Sequence, residues 1–81
     1  MSEKNVQVIE KARLDDVLPG DHITWEFSRE WRGADTYERR EGIAARQTTF
    51  GDWRAERGAY LTCGEGARTT LTIRRQITKE N

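Results

Sequence analysis

Leu18-Pro19-Gly20-Asp21-His22-Ile23-Thr24-Trp25-Glu26-Phe27 is the stretch on which the fold turns. Pro-Gly makes a corner, because Pro presets φ and Gly accepts the conformation that follows it. The next residues alternate. Ile23, Trp25 and Phe27 share one side, and His22, Thr24 and Glu26 share the other, the period-two signature of a half-buried strand.

Reading outward, Val6-Gln7-Val8-Ile9-Glu10 has strand character. Leu14, Val17 and Leu18 fall at helical spacing, but Pro19 ends the segment, so a single helical turn over residues 12–18 leads into the corner. Residues 29–35 read as a loop, with Gly33 and Asp35 as turn residues. Residues 36–48 read as a long strand bent by a bulge at Gly42. Residues 50–58 form a glycine-bounded loop. A compact strand follows over residues 59–63, with Ala59, Leu61 and Cys63 facing inward. Gly64-Glu65-Gly66-Ala67 makes a tight hairpin turn into a last strand over residues 68–77. In that strand Leu71, Ile73 and Ile77 share a face, and Arg75 breaks the row.

These pieces predict an all-β domain over residues 6–77, with polar tails at residues 1–5 and 78–81. Five short strands in so short a chain favour a small barrel, since closure removes exposed edges. At 81 residues, a domain buries only about 60–65% of the surface its unfolded chain exposes, so its core is thin. Apolar and charged residues each make up 35% of the chain, but 14 basic side chains balance 14 acidic ones and seven residues are aromatic. That balance marks a folded, densely charged domain, because disorder goes with high net charge and few aromatics.

The order of PGD corner, strand, charged loop, Gly-containing strand, turn and strand resembles the SH3-like small β-barrels. Pro19-Gly20-Asp21-His22-Ile23 and Glu41-Gly42-Ile43-Ala44 carry the resemblance, which spans roughly residues 17–77. It implies a five-stranded SH3-like barrel and a binding role over a catalytic one. The proline-rich-peptide type of SH3 domain matches poorly, for lack of paired aromatics on an early strand. The short, Arg-rich style also looks like small proteins of phages, prophages or bacteria with GC-rich genomes; 11 of the 14 basic residues are Arg.

Few residues invite chemistry. His22 is the sole imidazole and faces away from the apolar row, with no partner marked by spacing. Cys63, the sole thiol, reads as a small core residue, and its predicted facing keeps it from His22. One Cys excludes an internal disulfide, and one His with one Cys is too few for the usual zinc sites. No catalytic residue, metal or cofactor is expected. No apolar run approaches membrane length, and the chain reads as cytoplasmic.

Trp31 and Trp53 both stand beside arginines in segments read as loops. Arg29, Trp31, Arg32, Trp53 and Arg54 therefore form a candidate protein-binding set, because Trp and Arg dominate interface hot spots. The same indoles could instead fold back and cap the barrel. A third reading is nucleic-acid binding, with indoles stacking on bases and Arg39, Arg40, Arg46, Arg74 and Arg75 on phosphates. The charge is uneven: residues 1–41 hold seven basic and ten acidic side chains, and residues 42–81 hold seven and four. A homodimer paired at strand edges would employ the unmatched polar residues of the 36–48 strand.

Overall fold

The structure is a computed structural model that describes residues 5–77; for Asn5, Trp31 and Ile77 it describes the backbone alone. The strands are β1 (Asn5–Ile9), β2 (His22–Trp31), β3 (Ala34–Ile43), β4 (Arg46–Gln47), β5 (Trp53–Arg54) and β6 (Thr69–Ile77). A 3₁₀ turn, Leu14–Asp16, is the one helical element among the described residues. The all-β class is borne out. The strands do not close. They form a four-stranded antiparallel sheet in the order β1-β6-β2-β3 and a separate two-stranded ribbon, β4-β5. Asn5, assigned to the tail, is the first residue of β1.

The alternation after the PGD corner does what its period requires. Ile23 lies opposite Ile73 and Trp25 opposite Leu71 across β2 and β6. All four are buried, and Phe27 packs against them half-buried. One face of the sheet is thereby apolar and needs a cover. The segment that the sequence marked as a helical turn supplies Leu14 and Val17, and the ribbon with its following loop supplies Trp53 and Leu61. Fully burying side chains of this size stabilises by about 1.5–3 kcal/mol each.

The corner is fixed by Asp21. Its carboxylate accepts the Leu18 amide at 2.8 Å, and its own carbonyl accepts the Ala44 amide at 2.8 Å. Gly20 has φ +97°, which L side chains rarely adopt.

Three local expectations are corrected. Residues 29–35 are not a loop: β2 and β3 run ten residues each and meet in a two-residue turn. Arg32 (φ +53°) and Gly33 (φ +80°) supply the paired positive φ of a type I′ hairpin. Gly42 makes no bulge, since β2 and β3 stay in one register from His22↔Ile43 to Trp31↔Ala34. Residues 59–63 form no strand beyond a single bridge, Arg54↔Tyr60, so no hairpin is closed by residues 64–67. Of the three residues expected to face inward, Leu61 is buried, but Ala59 and Cys63 are exposed, and Thr62 is fully buried instead. The Thr62 hydroxyl donates to Asp52 Oδ1 at 2.9 Å and accepts the Trp53 amide at 3.0 Å, which satisfies it in the interior.

Gly42 is needed for close packing. A Cβ there would lie 2.8 Å from Leu61 Cδ2. Gly42→Val is expected to lower the unfolding free energy by about 1–3 kcal/mol through overpacking. Denaturant titration would check it. In a Leu61→Ala background the cost of Gly42→Val should fall to about half or less, because the opposing methyls are gone.

Candidate interaction surface

β6 covers β2 only from His22 to Phe27. The Ser28 amide reaches the Arg68 carbonyl at 3.2 Å, and there the larger sheet ends. Beyond it, β2 and β3 pair only with each other, from Ser28↔Tyr37 to Trp31↔Ala34. The result is a projecting two-stranded arm. Every residue of it whose side chain is described is exposed. Arg29 and Trp31 continue the register of Trp25 and Phe27, so by position they sit on the face that is apolar within the body. The exposure of Trp31 lies outside the described residues. A shallow cleft of about 340 Å³ runs along the base of the arm between Ser28, Glu30, Thr36, Tyr37 and Arg68.

The candidate residues therefore separate. Arg29 and Arg32 belong to the arm and are exposed. Trp53 does not join them. It is 4% exposed, and its indole Nε1 donates to the Leu14 carbonyl at 2.9 Å. It is a core residue that caps the sheet, so its ring is not offered to a partner. Arg54 braces its own loop, with Nε donating to the Gly58 carbonyl at 2.8 Å and the guanidinium 4.7 Å over the Tyr60 ring. What misled the sequence reading was the shared Trp-Arg pairing, which looks alike on a ribbon and on an arm.

The arginines of the nucleic-acid reading do not share a face. Arg40 and Arg75 stand at core-face positions of the sheet, opposite Trp25 and Gln7. Arg39 and Arg74 are on the other face, and Arg46 is in the ribbon. Arg40 donates to Glu38 Oε2 at 2.6 Å and to the Tyr60 carbonyl at 3.1 Å. Arg75 grips Asp21 through two hydrogen bonds of 2.9 and 2.8 Å. It also donates to the Asp16 carbonyl at 2.9 Å. Both are committed internally, which corrects their place among phosphate-binding candidates. Arg39 lies 3.1 Å from Glu41, leaving Arg46 and Arg74 as exposed candidates in different elements, the ribbon and β6.

His22 and Cys63 stand on opposite sides of the sheet. His22 Nε2 is 3.3 Å from Glu41 Oε2 on the face away from the core. Cys63 belongs to the segment over the core face, where Gly64 accepts the Trp25 indole at 3.0 Å. Among the described residues no three His, Cys, Asp or Glu side chains gather to hold a metal. No helix is long and apolar enough to cross a membrane. Comparison with family models, with curated proteins and with solved structures gives no match to this chain.

Proposed function

We propose that this protein is a non-catalytic binding module that contacts a protein partner through the β2–β3 arm. The observation that supports it is the arm itself: ten-residue strands that outrun the sheet and carry Arg29 and Arg32 at exposed positions. Trp and Arg are enriched among the residues that carry binding energy at interfaces, and Arg29, Trp31 and Arg32 all lie on the arm. Trp53 and Arg54 drop out of the set. The SH3-like barrel kinship remains part of this proposal, supported by the PGD corner and the strand that follows it. So does a bacterial or phage origin with a cytoplasmic setting, for which the support is compositional.

The arm variants provide the test. Arg29→Ala, Trp31→Ala and Arg32→Ala should reduce affinity capture of a partner while the melting transition stays where it is. Gly33→Val, which forces a branched side chain to φ +80°, should raise amide hydrogen exchange across residues 28–37 and weaken capture too. The strain there is about 1–2 kcal/mol. Capture unchanged in all four variants would overturn the proposal, and loss of fold in Trp31→Ala would return Trp31 to the capping reading.

A further inference from the structure

We propose that β3 is a self-pairing edge, through which two copies of this chain join antiparallel into one continuous sheet. This is separate from the arm's contact with a different protein, and its test needs no partner protein.

Among the described residues, β3 is the last strand of its sheet and has no hydrogen-bonded neighbour on its far side. The two-residue turn fixes which backbone groups face outward. Trp31 and Ala34 flank the turn as a hydrogen-bonded pair, and such pairs recur at every second residue. Ala34, Thr36, Glu38, Arg40 and Gly42 thus spend their amides and carbonyls on β2. The single bond from Ala44 N to Asp21 O, at 2.8 Å, keeps the same phase beyond the strand. Asp35, Tyr37, Arg39, Glu41 and Ile43 are left directing theirs to the free edge.

The side chains of those residues occupy the face opposite the core, and their order is self-complementary. Tyr37, Arg39, Glu41 and Ile43 read apolar, positive, negative, apolar. A twofold axis perpendicular to the sheet brings like faces together. Centred on Arg40, it sets Tyr37 opposite Ile43 and Arg39 opposite Glu41, twice each. Cross-strand pairs of these kinds are the stabilising ones. Moving the axis one residue to Arg39 or to Glu41 places Arg against Arg or Glu against Glu. Like charges also meet in the chosen register, where the two Arg40 side chains face each other on the core face, each paired with its own Glu38 at 2.6 Å. Arg39 is likewise paired with Glu41 of its own chain at 3.1 Å. What favours this register over its neighbours is therefore the pair of Tyr37–Ile43 contacts that it alone of the three makes. The whole row is exposed, and its apolar ends, Tyr37 and Ile43, are 61% and 53% accessible. A charged row ordinarily blunts an edge; here it selects its own copy. A neighbouring arrangement, centred on Tyr37 with Asp35 against Arg39, leaves Ile43 uncovered.

Sedimentation equilibrium over a range of loading concentrations tests this. The 9.4 kDa chain should sediment as a dimer. Glu41→Lys and Arg39→Glu should each weaken dimerisation about tenfold or more, with circular dichroism unchanged. The swap Arg39→Glu with Glu41→Arg should restore it. Arg40→Cys in a Cys63→Ser background should oxidise to a disulfide dimer at the twofold axis. A wild type that is monomeric throughout overturns the proposal, as does a dimer indifferent to the single reversals. Cross-linking by Tyr37→Cys and not by Arg40→Cys would overturn the register.

Discussion

Trp53→Ala is expected to lose about 3–5 kcal/mol of stability, the usual cost of deleting a large buried aromatic. Domains of this size have only about 5–15 kcal/mol in hand, and a thin-cored one sits at the low end. The variant should therefore be largely unfolded under mild denaturant. Three features converge on this residue. Its ring is 4% exposed, within the same core cluster as Leu14, Leu61 and Trp25. Its indole satisfies the Leu14 carbonyl at 2.9 Å. Its backbone carbonyl accepts the Leu61 amide at 2.8 Å, which ties the irregular 59–63 segment to the ribbon. Trp53→Phe separates the contributions. It keeps most of the volume but removes the indole donor from the Leu14 carbonyl, which is left with only the longer 3.4 Å bond from the Val17 amide, for about 1–3 kcal/mol. Phe50→Ala is the control. That ring, at the tip of the same ribbon, is 93% exposed, so its loss should fall within about 0.5 kcal/mol of zero. Equilibrium unfolding followed by tryptophan fluorescence and circular dichroism would measure all three. A Trp53→Ala protein as stable as Phe50→Ala would remove Trp53 from the core.

The contrast between Trp53 and Trp25 shows what period two can carry. Trp25 stands between Ile23 and Phe27 in a clean alternation, and its burial was legible. Trp53 stands in a two-residue strand, too short for any period, and its burial depends on a turn some forty residues earlier. The 59–63 segment shows the converse failure. Its alternation predicts Leu61 inward and Thr62 outward, yet both are buried, with the Thr62 hydroxyl satisfied by Asp52 and by the Trp53 amide. The signal that was missed is Asp52, whose Oδ1 accepts both the Thr62 hydroxyl and the Gly64 amide, at 2.9 and 2.7 Å. The arm was missed for a different reason. Arg-Gly is not the Asn-Gly or Asp-Gly that marks a type I′ turn, so in the sequence two long strands look like strand, loop and strand. Arg75 was legible only as an interruption of an apolar row; its partner lies 54 positions away.

That partner makes the second large effect. Asp21 is 3% exposed, and Arg75 holds it through both carboxylate oxygens, as bidentate Arg–carboxylate pairs do. The Arg75 hydrogen bonds outweigh burial and hold the Asp21 carboxyl below its ordinary value of 3.8. Asp21→Asn should cost about 2–3 kcal/mol near neutral pH, since it replaces charge-assisted hydrogen bonds with weaker ones. Arg75→Met should be worse than Asp21→Asn, because it strands a buried carboxylate with the Leu18 amide as its remaining side-chain partner. Acid distinguishes this pair from packing. A carboxyl whose folded pKa is depressed stabilises fully above its unfolded value and loses that stabilisation as pH falls through the folded one. The gap between wild type and Asp21→Asn should thus be constant from neutrality down to about pH 4 and close below it. Urea midpoints taken across that range would show the convergence. A gap that persists unchanged at about pH 2 would mean that Asp21 holds the corner by shape and not by charge.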